Sequence, residues 1–130
     1  MHIVALKSPD LKDHRSVIHP DTVEKILSLH GVTFSFEFGI GNGINVSDQT
    51  FIDLGFKAIS RDECLSQGNL IITPSALTLE ESTKVKPGSS VLGMVNPFYA
   101  ADELKALNQS KINVVSMEFI PRITRAQKMD

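Results

Sequence analysis

Short apolar runs alternate with helical patterns along the chain, and this alternation is what most restricts its fold. Apolar or alternating runs at residues 2–6, 32–38, 57–60, 69–73, 90–95 and 113–117 predict strands. Helical spacing or capping residues predict helices at residues 21–30, 47–54 and 100–110, and from a cap at Thr78 to before Pro87. Strands and helices in this order favour a parallel sheet with helices on both faces.

The chain is long enough for one such domain and too short for two of ordinary size. It has 130 residues, 42% of them hydrophobic, and no repeat or linker. We therefore predict one α/β domain over residues 1–130, with three layers and a mostly parallel, Rossmann-like or flavodoxin-like sheet. A nicotinamide dehydrogenase normally has a nucleotide domain and a substrate domain, and only one of these fits in this length.

Charge and composition exclude several classes of function. A net charge of −2 gives no electrostatic basis for binding nucleic acid, and no apolar run approaches the roughly 20 residues that span a bilayer. No signal peptide is evident, and Cys64 is the single cysteine, as in proteins of a reducing compartment. We therefore expect a cytoplasmic protein with no nucleic-acid partner and no direct membrane insertion.

Residues 32–38 alternate strictly between two faces. One face is apolar and the other carries Thr33, Ser35 and Glu37, which predicts a strand near the edge of the sheet with a polar face. A glycine-rich turn follows at residues 39–43. The dinucleotide fingerprint requires its third glycine where Ile44 stands, and no Gly-Lys-Ser or Gly-Lys-Thr occurs. We interpret the segment as a tight turn and not as a phosphate loop.

The remaining titratable residues suggest structural roles. The histidines have no metal-ligand spacing and no partner Cys or carboxylate, so we predict no metal site (His2, His14, His19 and His30). His30 continues the apolar stripe of the first helix. Acidic neighbours would raise the pKa of the Cys64 thiol, so packing is favoured there over catalysis. We expect Glu80 and Glu81 to lie on a solvated helix.

Two segments follow strands at the carboxyl edge, where α/β proteins bind ligands. In the loop after the first strand, Arg15 could clamp a carboxylate or simply pair with Asp13. After the last strand, Arg122, Gln127 and Asp130 combine a guanidinium, an amide and a carboxylate, which together could hold a carboxamide and ribose hydroxyls. Composition alone favours a solvated tail for this second segment.

Residues 121–130 read Pro-Arg-Ile-Thr-Arg-Ala-Gln-Lys-Met-Asp, and this segment closely resembles a family signature. The signature is Pro-Arg-Ile-Ser-Arg-Ala-Gln-x-x-Asp, from the alpha subunit of proton-translocating NAD(P) transhydrogenases, whose N-terminal region is related to alanine dehydrogenase. The first strand, the Arg15 loop, the helix near Pro20, the glycine turn and the Pro87-Gly88 pair also match. We interpret the chain as the N-terminal domain of such a subunit.

The resemblance implies a shared cofactor site. In the family this domain is followed by a Rossmann domain, and NAD lies in the cleft between them, so the domain alone is not expected to bind NAD tightly or to be active. Arg122, Gln127 and Asp130 would lie near the nicotinamide and its ribose and orient the ring toward NADP(H) on another component. The implied partners are the Rossmann domain, the other transhydrogenase components and a second copy of the subunit, placed at the inner membrane through the complex.

The chain departs from the alanine dehydrogenase branch at its acid–base positions. The catalytic lysine and histidine of that branch align with Ser75 and Asn96, which cannot transfer protons near neutral pH. Arg15, which would hold the substrate carboxylate in those enzymes, remains without these partners. Amino-acid dehydrogenation is therefore disfavoured. The alternative to the transhydrogenase interpretation is a free-standing, non-catalytic module that regulates or binds a partner.

Overall fold

The computed structural model describes residues 1–93 and 111–116, and its strands form one six-stranded parallel sheet. The strands are β1 (His2–Ala5), β2 (Thr33–Glu37), β3 (Lys57–Ile59), β4 (Leu70–Thr73), β5 (Ser90–Gly93) and β6 (Asn113–Ser116). The helices are α1 (Pro20–Leu27), α2 (Asp48–Asp53), α3 (Arg61–Gln67) and α4 (Leu79–Lys84), with a short 3₁₀ turn at Asn42–Ile44. The predicted helix at 100–110 and the segment 117–130 lie outside the described residues.

The strand order is β3-β2-β1-β4-β5-β6, and each neighbouring pair is parallel. This is the order of a doubly wound Rossmann sheet, so the predicted α/β fold is confirmed. The chain reverses its winding direction between β1 and β4, and the carboxyl ends of these two strands therefore diverge into a crevice. Among the helices that the structure describes, none is long and apolar enough to cross a membrane.

Both faces of the sheet are buried, because successive β1 side chains point to opposite layers. Ile3 and Ala5 contribute to one core cluster, whereas Val4 and Leu6 contribute to the other. Helices α1 and α2 cover the first cluster through Val23 and Phe51, and α3 covers the second. Burying a phenylalanine such as Phe51 completely stabilises the fold by about 1.5–3 kcal/mol, so the two cores are the main source of stability.

Helix α1 is shorter than its sequence pattern predicts. Pro20 occupies the first turn and the His19 side chain accepts a hydrogen bond from the Asp21 N–H, so the helix begins as expected. It ends at Leu27, however, and His30 is exposed instead of extending the apolar stripe. The chain turns away after Ser28 and passes through Gly31 in a left-handed conformation, with φ of +74°.

The polar face predicted for β2 is not solvated. Ser35 and Glu37 are 3% and 7% exposed, because α3 packs over this side of the strand. The Ser35 hydroxyl is 2.8 Å from His2 Nε2 on the neighbouring strand, and Glu37 pairs with Arg61 at the start of α3. Strand β2 lies one position in from the edge, as predicted, but its polar side chains bond to protein groups and not to water.

Candidate functional site

A cavity of about 310 Å³ opens at the carboxyl edge of the sheet, beside the point where the winding reverses. Its walls are residues 15–17 of the loop after β1, residues 72–74 at the end of β4, and Leu92 and Gly93 of β5. Strand order alone brings these three segments together, since they are far apart in the sequence. The cavity is therefore the place in the described structure where a ligand group fits best.

Arg15 is at the wall of this cavity and is paired with Asp13. The guanidinium donates from Nε and Nη2 to the two carboxylate oxygens, at 2.9 and 3.0 Å, and the Arg15 N–H donates to Oδ1 at 3.1 Å. These hydrogen bonds hold the pKa of Asp13 well below its usual range. Of the two predicted roles, pairing is the one observed. The side chain is still 71% exposed, so the pair adds little stability and leaves a guanidinium edge facing solvent.

The glycine turn is closed to phosphate. The Gly39 N–H already donates to both carboxylate oxygens of Asp48, at 3.0 and 3.1 Å, so a negative charge occupies the place that a phosphate would need. Gly43 packs against the Arg15 loop so tightly that a Cβ there would lie 2.4 Å from the carbonyl oxygen of His14. These contacts agree with the tight-turn interpretation and give the turn a packing role.

The turn and the Arg15 loop enclose a second, smaller cavity of about 200 Å³. Lys7, Asp10, Asp13 and Arg15 line one side, and residues 39–43 line the other. Opposite charges are mixed along the first wall, so the cavity has no clear preference for an anion or a cation. Its position shows that the Arg15 loop stands between two open spaces and is supported by the glycine turn.

The side chains considered as metal ligands or nucleophiles do not form a site in the described structure. Residues 1–93 and 111–116 contain no group of three or more His, Cys, Asp or Glu side chains that could hold a metal ion. Cys64 is fully buried, and burial together with the charge of Glu37 raises the pKa of its thiol to about 12. The thiol is therefore protonated at neutral pH and packs in the core.

Ser75 lies just beyond β4, near the cavity, as its place in the sequence predicts. The Thr73 hydroxyl donates to the Ser75 carbonyl at 2.7 Å and accepts from the Ser75 N–H at 3.3 Å, which closes a small turn. The Ser75 hydroxyl is buried and has no hydrogen-bond partner among the described residues. Arg122, Gln127, Asp130 and Asn96 lie outside the described residues, so their roles remain predictions.

A buried cluster around Arg61 was missed by the sequence analysis. Arg61 Nη1 donates to Glu37 Oε1 at 2.8 Å and to the Lys7 carbonyl at 3.0 Å, and its Nε donates to Glu81. Burial opposes the charged form of Arg61, but its bonds to Glu81 and Glu37 outweigh burial and raise its pKa. Glu81 was expected on a solvated helix face and is instead largely covered, because this pair draws it inward.

The signal for this cluster was present in the sequence as a capping box. Ser60 and Glu63 have the Ser-x-x-Glu spacing that starts a helix, and both reciprocal bonds are present at the start of α3. The same box at Thr78 and Glu81 starts α4, as predicted. Two helix starts facing the end of β2 bring Arg61 and Glu81 to one point.

Comparisons with known proteins agree with this architecture. The family described as "Alanine dehydrogenase/PNT, N-terminal domain" matches residues 7–130. The chain is 33% identical, over 135 aligned positions, to the first of the proteins that make up the NAD(P) transhydrogenase alpha subunit of Rickettsia prowazekii, covering all of this chain and 35% of that protein. It is 32% identical to "NAD(P) transhydrogenase subunit alpha" of Haemophilus influenzae, covering 91% of this chain and 23% of that protein.

Solved structures show the same fold. A transhydrogenase from Sinorhizobium meliloti superposes with a TM-score of 0.87 at 25% identity, over 98% of this chain and 38% of that one. An L-alanine dehydrogenase superposes with a TM-score of 0.79 at 16% identity, over 89% of this chain and 32% of that one. The chain thus spans about a third or less of the curated relatives it matches. With a family match over nearly its whole length, this chain belongs to the alanine dehydrogenase/PNT N-terminal domain family.

Proposed function

We propose that this chain is the first domain of the NAD(H)-binding component of an NAD(P) transhydrogenase. In this role it helps to position the nicotinamide of NAD(H) for hydride transfer to NADP, coupled to proton translocation in the full complex. The observation that carries the proposal is the cavity at the reversal point of the sheet, lined by the Arg15 loop, in a chain whose relatives are named as transhydrogenase alpha subunits.

The cavity suits one end of a dinucleotide and not the whole molecule. Its 310 Å³ lies at the lower limit of small-molecule sites, which are roughly 300–1,000 Å³. The pyrophosphate has no place at the glycine turn, where Asp48 occupies the Gly39 N–H. The residues therefore fit the nicotinamide and its ribose, and a second domain must supply the phosphate-binding helix N-terminus.

The residues proposed to hold the nicotinamide end are those carried over from the family signature. Arg122 would donate to the carboxamide oxygen, Gln127 would bond a ribose hydroxyl, and Asp130 would hold Arg122 in place. Bound NAD(H) supplies the hydride. The transfer requires no general acid, so these residues align the ring and exclude water. The lack of a proton-transferring group at Ser75 is consistent with this chemistry.

The proposal extends to the assembly. Relatives named as transhydrogenase alpha subunits, whole or divided, support other transhydrogenase components as partners. By the same resemblance we place two copies of the component together, on the cytoplasmic side of the membrane-bound complex. Arg15 would contribute to the site as a wall residue, and as a grip for a substrate carboxylate only under the alternative of an alanine dehydrogenase-type reaction.

Isotope transfer tests the proposed function. The product of the complete reading frame, assembled with its partner components, is incubated with NADP and with NADH deuterated at both C4 positions. We expect NADPH that carries one deuterium per transfer, detected by mass spectrometry, because the hydride passes directly between nicotinamides. NADH oxidation that depends on pyruvate and ammonium without NADP would instead indicate an alanine dehydrogenase. No turnover under either condition would favour the non-catalytic module.

A further inference from the structure

The loop between β1 and α1 is unusually long for its position. It covers residues 6–19, whereas strand-to-helix connections in α/β units commonly have about 2–6 residues. It carries Arg15 and the wall of the larger cavity. A loop of this length samples many conformations unless other elements hold it, so the anchoring contacts determine where Arg15 lies.

The first anchor is at Lys7, where the loop leaves the sheet. Its carbonyl accepts from Arg61 Nη1 at 3.0 Å, and its N–H donates to Glu37 Oε1 at 3.2 Å. Arg61 Nη1 also donates to that same Glu37 oxygen at 2.8 Å. Both backbone polar groups of Lys7 are thus bound to one ion pair. The pair is shielded from solvent, since the Arg61 and Glu37 side chains are 21% and 9% exposed.

The second anchor is at His14, next to Arg15. A Cβ on Gly43 would lie within 2.7 Å of three backbone atoms of His14, so the two backbones are already in close contact. Between the anchors, the loop makes short local turns in which Asp10 and Asp13 accept from the N–H groups of Lys12 and Arg15. Local turns of this kind fix the shape of the loop, and the two anchors fix its place on the sheet.

Arg61 has the geometry that this role needs. One face of its guanidinium holds Lys7 and Glu37, while Nε holds Glu81, which also accepts from the Thr78 N–H at 3.0 Å to cap α4. The planar fork of arginine supplies these directions at once, and a lysine ammonium at the end of a flexible stem does not. Arg61 therefore connects the start of the Arg15 loop to α3, α4 and β2.

From these contacts we infer that Arg61 is a positioning residue: it holds the start of the Arg15 loop so that residues 15–17 form the wall of the carboxyl-edge cavity. The inference rests on the proposed function only in treating this cavity as the nicotinamide wall. Arg61 itself does not line either cavity among the described residues, and it acts through the backbone of Lys7.

The test measures the loop and the reaction separately, in the product of the complete reading frame with its partner components. Arg61→Met removes all the guanidinium bonds, and Arg61→Lys keeps only the charge. Where Arg61→Met does not fold, the triple variant Arg61→Met/Glu37→Gln/Glu81→Gln replaces it, because no unpaired carboxylate is then buried. Lys84→Met is the matched control: it breaks the exposed Lys84–Asp62 pair between α3 and α4, at 2.9 Å, and leaves the loop untouched.

Amide hydrogen exchange followed by mass spectrometry reports on the loop. We expect exchange in peptides covering residues 7–15 to accelerate about 10-fold in Arg61→Met and in the triple variant, with Arg61→Lys only partly restoring protection. Peptides from β4 and the Lys84→Met control should be unchanged. In the deuterium-transfer assay, the KM for NADH should rise about 10-fold while the KM for NADP stays constant.

Each outcome decides the inference. Unchanged exchange at residues 7–15 would overturn it, and so would a mobile loop combined with an unchanged KM for NADH. A KM effect equally large in Lys84→Met would reduce Arg61 to a general stabiliser of the α3–α4 pair and would also overturn it. Failure of the proposed function is seen separately, as absence of deuterium transfer by the unmodified protein; the exchange data then decide alone whether Arg61 anchors the loop.

Discussion

Hydride transfer from NADH to NADP is expected to slow about 100-fold when Arg122 is replaced by alanine in the product of the complete reading frame. The guanidinium is proposed to fix the carboxamide of the nicotinamide, so its loss lets the ring rotate away from the acceptor. The donor and acceptor carbons must approach closely and in line, and small displacements are therefore costly. The rate of deuterium transfer measures this directly.

The effect should be confined to turnover. Arg122 follows the last strand of the sheet in the sequence, so we expect the midpoint of thermal unfolding to change little. Lys128→Ala is the matched control, since it removes a charge from the same segment at a position that varies in the family signature. Near-normal turnover in Arg122→Ala, or an equal loss in Lys128→Ala, would exclude the proposed role of Arg122.

Gly93→Ala is expected to have the largest effect on stability, lowering the free energy of unfolding by about 3 kcal/mol or more. Gly93 ends β5 opposite Thr73 of β4, and an added Cβ would lie 1.8 Å from the Thr73 carbonyl oxygen. Both strands are inside the sheet, so neither can move away without breaking the ladder or deforming the cavity wall. Denaturant unfolding followed by circular dichroism measures the loss.

Gly31→Ala separates the clash from the cost of glycine loss alone. Gly31 has a φ of +74°, but a Cβ there would have nothing within 4 Å. We expect this substitution to cost only about 1–2 kcal/mol, from the left-handed backbone. If Gly93→Ala were no more destabilising than Gly31→Ala, the close packing of β5 against β4 would be contradicted.

The sequence predicts the strands well because their signal is local. Every predicted strand is present where the structure describes it, since an apolar run between turns has few alternatives in a parallel sheet. Helix α3 was missed because it has only seven residues and presents just Cys64 and Leu65 to the core. Its capping box, Ser60 with Glu63, was the available signal.

The surroundings of polar side chains are not local and were predicted less well. Alternation places Ser35 and Glu37 on one face of β2, but only the packing of α3 makes that face buried. Glu81 resembles any surface glutamate until Arg61, twenty positions earlier, is brought beside it. The cavity follows from strand order, which the sequence pattern left open between two doubly wound arrangements.

NADH binding by the 130-residue chain, compared with the product of the complete reading frame, tests the central claim most directly. The claim is that this domain supplies one wall of a nicotinamide site whose phosphate-binding region lies in another domain. Titration calorimetry should show no saturable binding to the 130-residue chain below about 1 mM NADH, and saturable binding to the complete product. Saturable sub-millimolar binding by the 130-residue chain alone would contradict the claim.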